Sequence, residues 1–200
     1  MDAEVLSQLE WAAAAFGVVN MALLIFRSVW NYLFGMAMVA LYLFVFWEKR
    51  LYAESLLQVF FFAAQGWGWW LWVKVGSGES RVAVRWLDWR GRLVWLAVMS
   101  ALGLNLGWAM ARYTNASAPY IDGPIAVFSM GAQVLLAYRW IENWVLWVAI
   151  DVVSIGLYIY RDLEPTAGLY GGFLAMSLVG LREWIMAQRA DRLAIEARPA

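Results

Sequence analysis

Apolar residues run along the chain in seven long blocks: Val5–Phe26, Val29–Trp47, Ser55–Val75, Leu93–Arg112, Pro119–Tyr138, Asn143–Tyr160 and Thr166–Met186. A hydrocarbon core about 30 Å thick is crossed by about 20 residues of helix. Each block therefore predicts one membrane-spanning helix. The breaks are short and polar (Glu48-Lys49-Arg50, Thr114-Asn115-Ala116-Ser117, Arg139 to Glu142, Arg161 to Pro165), as turns within one bundle would be. Only the connection from Gly76 to Arg92 is long, and no soluble domain fits beside the seven helices. The first block has neither a basic leader nor a small-residue cleavage site, so it reads as a retained helix and not a signal peptide.

Composition removes the alternatives. Hydrophobic residues make up 64% of the 200 and charged residues 15%, with a mean hydropathy of +0.62. A soluble domain carries about 25% charge, so too little polar sequence is present to cover a globule. Disorder would need still less hydrophobicity. Fifteen basic residues balance fifteen acidic ones, so no net charge points to nucleic acid. Without cysteine or histidine there is no disulfide framework, no thiol nucleophile, and neither the commonest general base nor the commonest metal ligand. No Gly-rich phosphate loop, no carboxylates at metal spacing and no serine beside a base are present, so neither a cofactor nor a metal is expected. The class that remains is an integral membrane protein; a transporter, a membrane enzyme acting on lipid and a subunit that binds nothing are the rival readings.

Lysine and arginine set the orientation. One side of the membrane would carry four of them (Lys49, Arg50, Arg112, Arg161) and the other eleven, among them Arg27, Lys74, Arg81, Arg85, Arg90, Arg92 and Arg139. This predicts an N-terminus outside and a C-terminus in the cytoplasm. The long loop reads as a solvated cytoplasmic segment touching anionic lipid.

The chain also repeats itself at an offset of 112: Asn31-Tyr32 matches Asn143-Trp144, Leu51 matches Leu163, Leu57 matches Leu169, Phe61 matches Phe173, Gly68 matches Gly180 and Trp72 matches Trp184, with Phe16 and Phe128 a weaker pair. The expected organisation is a first three-helix repeat with its loop (1–92), a linker helix (93–112), a second three-helix repeat (113–186) and a cytoplasmic tail (187–200). One linker makes the two copies run the same way through the membrane, an arrangement in which the solute site lies near the midplane between copies.

Polar groups within hydrocarbon are costly and mark sites. Asp151 lies mid-way along the sixth helix. Trp144, Trp147, Asp151, Ser154 and Tyr158 follow at steps of three and four and share one face, while Val145, Val148, Val152, Ile155 and Ile159 make an apolar opposite face. The stripe fits a flat, hydrogen-bonding solute whose positive charge would meet the carboxylate and the indole faces. The plainer alternative is an interhelical hydrogen bond from a protonated Asp151. Gln65, with Trp69 one turn on, is a matching candidate on the third helix, and Ser129 and Gln133 on the fifth; for each, a structural bond is the alternative. Trp72, near a helix end, reads as part of an interfacial belt. Asn31 and Asn143 begin corresponding helices as ligand contacts, gate residues or caps. Gly35, Gly131, Gly180 and the pair Gly171-Gly172 let helices approach closely; Pro119, Pro124 and Pro165 stand at or near helix starts, and Asp122 and Glu142 are expected to be solvated.

Several of these segments resemble one family. Asn31-Tyr32-Leu33-Phe34-Gly35, the run Leu51 to Phe62, and Gly68-Trp69 resemble the first repeat of the PnuC-type vitamin transporters. Pro119-Tyr120-Ile121-Asp122, Ser129 and Gln133 resemble their fifth helix. Glu142-Asn143-Trp144, Trp147, Asp151 and Tyr158 carry the Trp-x-x-Trp-x-x-x-Asn/Asp signature of the sixth, and Ala167, Leu169-Tyr170, Phe173, Gly180 and Trp184 resemble the last. The resemblance implies an all-α integral membrane fold with two parallel three-helix repeats joined by one linker helix (SWEET-like, three plus one plus three). It implies a homotrimer in the bacterial inner membrane. It also implies uptake of nicotinamide riboside by facilitated diffusion, with a cytoplasmic kinase trapping the substrate. The implied binding residues are Trp144, Trp147, Gln133 and Asp151, and Tyr170 joins the candidates with the last-helix segment. Trp67 and Gln65 depart from the family pattern, which commonly has tyrosine and asparagine there. Relatives carry thiamine, riboflavin or other nucleosides, so cargo is where the family varies.

Overall fold

The computed structural model describes residues 3–48, 50, 52–75, 83–160 and 164–196. The chain divides into two compact units, Met1–Ala83 and Val84–Ala200. The first holds α1 (Ala3–Ile25), α2 (Asn31–Glu48) and α3 (Tyr52–Val75), with α2 packed against both neighbours. The second holds α4 (Trp89–Tyr113), α5 (Pro119–Ala137), α6 (Glu142–Tyr160) and α7 (Glu164–Glu196), each packed on the next. Every apolar block is thus a helix. The last one continues past Met186 to Glu196, so the expected tail is helical that far. Among the described residues, five helices, α1, α2, α4, α5 and α6, are long and apolar enough to cross a membrane. In α3 the four tryptophans and two glutamines lower the mean hydropathy, and in α7 the C-terminal end is charged. Lys49, Leu51, Arg81, Arg161 and Leu163, used above for orientation and repeat, lie outside the described residues.

The offset of 112 recurs in the backbone. Helix α1 ends with Arg27 at φ 58° and α5 with Arg139 at φ 63°. In each turn the left-handed residue donates to the carbonyl three back (Arg27 to Leu24, 2.9 Å; Arg139 to Leu136, 2.8 Å). The next donates to the carbonyl five back (Ser28 to Leu23, Trp140 to Leu135, both 2.9 Å). This is the Schellman termination, with arginine where glycine is usual. The asparagine opening the next helix then returns its Nδ2 to the same turn, Asn31 to the Ser28 carbonyl and Asn143 to the Trp140 carbonyl, both at 2.6 Å. Neither asparagine therefore acts as a helix cap, which would accept from the first turn's N–H groups; each Oδ1 is buried without a donor.

Glycines bring α4 and α5 together. A Cβ on Gly123 would lie 2.5 Å from the Gly107 nitrogen, and one on Gly103 would lie 2.9 Å from the Pro124 Cα. Gly103 and Gly107 are one turn apart, the small-x-x-x-small spacing that lets backbones touch in a membrane. Gly35, Gly131 and Gly180 also receive neighbouring side chains, as expected. Gly171 and Gly172 do not: nothing stands within 4 Å of a Cβ at either, so close helix approach is not their role here.

The described end of the long loop is not simply solvated. Arg85 pairs with the α5–α6 turn, donating its N–H to the Arg139 carbonyl at 3.1 Å and accepting from Ile141 at 2.9 Å. Glu142 closes the strap. Its carboxylate accepts the Leu87 N–H at 3.1 Å and the Arg92 Nε at 2.7 Å, and its side chain is only 14% exposed. The expectation of a solvated Glu142 is therefore corrected: an acid beside an unpaired strap N–H and an arginine is held by both.

Candidate substrate site

The polar stripe of α6 meets α7 in a seam of three pairs. Trp144 stands edge-on to Trp184 with ring centroids 5.7 Å apart, Asp151 Oδ2 accepts the Ser177 hydroxyl at 3.0 Å, and Tyr158 lies against Tyr170 at 5.1 Å. The pairs follow at seven-residue steps, forward along α6 and backward along α7, as two antiparallel helices sharing one contact face require. Trp144, Asp151, Ser154, Ser177 and Trp184 are all buried. Tyr170 continues into Phe173, edge-on at 5.6 Å.

The stripe thus serves two ends at once. Trp144 is fully buried, its six-membered ring seated where a Cβ on Gly180 would be, so its faces are occupied by packing. The interhelical bond offered as the plain alternative for Asp151 exists, with serine as donor. Such a bond contributes about 0.6 kcal/mol on average in a membrane protein, whereas placing an aspartate at a helix centre costs about 2.5–3.5 kcal/mol on the insertion scale. Packing alone does not account for the carboxylate. Trp147 is half-buried and makes no ring–ring contact among the described residues.

The remaining candidates differ in setting. Gln133 and Asn143 are buried; Ser129, one turn before Gln133, is half-buried. A cavity of about 180 Å³ lies among α4, α5 and α6, lined by Arg92, Trp95, Phe128, Leu135 and Glu142 among others, and none of the expected site residues faces it. In the first unit Gln65 is buried, and its amide lies where a Cβ on Gly35 would be, beside Asn20. Trp69 is 43% exposed. Trp72 is fully buried, edge-on to Tyr32 at 5.1 Å, and so belongs to the core and not to an interfacial belt. It is the first unit's counterpart of Trp184, as Tyr32 is of Trp144 and Gly68 of Gly180: a Cβ on Gly68 would likewise meet the Tyr32 ring.

One property unites four of the nine candidates. Gln65 Oε1, Gln133 Nε2, Asn143 Oδ1 and Trp144 Nε1 are buried side-chain atoms without a hydrogen-bond partner. Such atoms are rare in native proteins and each costs about 1–3 kcal/mol. Within the second unit, a bound solute with both donors and acceptors would satisfy those of Gln133, Asn143 and Trp144. Ser177 was missed from the sequence, although the repeat could have found it: an offset of 112 pairs it with Gln65.

Comparison with known proteins supplies the class. Residues 7–186 match the family described as nicotinamide mononucleotide transporter, and the chain is a multi-pass membrane transporter, not an enzyme. It belongs to that family, and to its PnuC type. It is 31% identical to the nicotinamide riboside transporter PnuC of Escherichia coli (strain K12), over 92% of this chain and 87% of that one. It is 25% identical to the riboflavin/roseoflavin transporter RibM of Streptomyces davaonensis, over 92% and 88%. Among solved structures it is similar to the vitamin B3 transporter PnuC, with a TM-score of 0.74 and 27% identity, over 92% of this chain and 83% of that one.

Proposed function

We propose that this chain takes up nicotinamide riboside across the bacterial inner membrane. The observation that carries the reading is the set of orphaned buried amide and indole groups on a helix that also bears Trp147 and Asp151. Relatives named as nicotinamide riboside transporters support the cargo. Trp147 offers its ring to the nicotinamide, Asp151 answers the pyridinium charge, and Gln133, Asn143, Gln65 and the Trp144 indole N–H bond the carboxamide and ribose. Ser129, Trp69 and Tyr170 complete the lining. Seven helices cross the membrane as two parallel three-helix repeats joined by α4, in the SWEET-like manner, with the N-terminus outside. The repeats alternate access to the site, and three copies form a homotrimer. Among the described residues no ion-coupling site is evident beyond the proposed counter-charge Asp151, so we take transport to be facilitated diffusion, with phosphorylation by a cytoplasmic kinase trapping the product.

The test is calorimetric titration of the purified protein with nicotinamide riboside, thiamine and riboflavin in parallel. Selective riboside binding that Trp147→Ala abolishes supports the reading. Riboflavin binding alone would transfer the proposal to the second cargo, which the likeness to RibM favours; thiamine alone would do the same for that cation.

A further inference from the structure

The bond from Ser177 to Asp151 has a counterpart position in the first unit, and the two differ in one respect. At the offset of 112, Asp151 corresponds to Val39, Trp147 to Gly35 and Ser177 to Gln65. In the first unit the position of the carboxylate is a buried valine, and the position of the hydroxyl is an amide lying on Gly35. In the second unit an acid stands at the first position, and a hydroxyl of the right length stands across from it at 3.0 Å. The donor and the charge thus occur together, in one copy only. The pairs Trp144–Trp184 and Tyr158–Tyr170 flank the bond and set the α6–α7 register without it. Serine is therefore not needed to hold the helices together, and the bond returns less than burial of the carboxylate costs.

We infer that Ser177 is a positioning residue that sets the charge selectivity of the site: by occupying Oδ2 of Asp151 it fixes the carboxylate in one rotamer and leaves Oδ1 to the solute. Among the described residues no second donor reaches that carboxylate. A carboxylate held on one side by a neutral hydroxyl keeps its negative charge for a cation, and a fixed rotamer removes the ordering cost of binding. The inference rests on Asp151 being the counter-charge of a cationic solute.

The experiment compares nicotinamide riboside, a cation, with its neutral dihydro form of nearly the same shape, by calorimetry on the full-length protein. Ser177→Ala and the near-isosteric Ser177→Cys should each weaken riboside binding by about three- to tenfold, the range of one side-chain hydrogen bond between membrane helices. Binding of the neutral form should stay within about twofold. Ser177→Thr, which keeps the hydroxyl, should restore the preference for the cation. In an Asp151→Asn background, Ser177→Ala should no longer change the ratio of the two affinities. Equal weakening for both solutes, or no effect on either, overturns the inference while leaving the function standing. A wild-type protein that binds both forms equally overturns the inference alone, and one that binds neither overturns both. A variant with a shifted gel-filtration profile is replaced by the other, so misfolding does not decide the outcome.

Discussion

Trp144 and Trp184 meet edge to face at 83°, both completely buried, and the notch that admits Trp144 is the missing side chain of Gly180. Tyr32, Trp72 and Gly68 repeat the arrangement in the first unit, with an interplanar angle of 86°. One glycine therefore decides whether the α6–α7 seam closes.

Gly180→Ala should lower stability by about 1–3 kcal/mol, because the added methyl collides with a ring that has no room to retreat. Gly172→Ala, on the same helix with open space around it, should be neutral or stabilising by up to about 1 kcal/mol through helix propensity alone. Thermal unfolding in detergent checks both; equal destabilisation would show that the notch is not specific to Gly180.

At the α4–α5 crossing, Gly123→Leu should prevent the two backbones from touching and abolish folding or expression. The nearest atoms there are the main chain of Gly107, which cannot rotate away as a side chain would. Monodispersity on gel filtration reads the result.

Glu142 holds the strap, so Glu142→Ala should free the Leu87 N–H and the Arg92 guanidinium together. The expected cost is about 1–3 kcal/mol, since a buried N–H loses a charged acceptor. Hydrogen exchange at residues 85–88 should rise while that of the α6–α7 seam stays unchanged. The equivalent position in the first unit, Trp30, is 66% exposed and clamps nothing, so Trp30→Ala should leave exchange there unaltered.

Transport itself gives a further check. Riboside should equilibrate into proteoliposomes and stop, with or without an imposed proton gradient. Accumulation driven by that gradient would contradict facilitated diffusion.

The helices were legible in the sequence because apolar length is a local property, and each of the seven blocks is a helix. The stripe on α6 was legible because a 3.6-residue period places Trp144, Asp151 and Tyr158 on one face whatever surrounds them. The likeness of the two turns was legible too, since Asn31 and Asn143 fall at helix starts after turns of the same backbone geometry. What lay across from each side chain was not. Trp72 resembles a belt tryptophan by position, and only packing against Tyr32 makes it core. Glu142 reads as a solvated helix end until Leu87 of the strap and Arg92 of α4, at least fifty residues away in sequence, close over it. Gly171-Gly172 and Gly180 look alike as letters, and only the neighbour decides which one receives a ring. Sequence period determines which residues share a face; the register between two helices, which pairs Asp151 with Ser177, depends on the whole interface and is decided only in the folded structure.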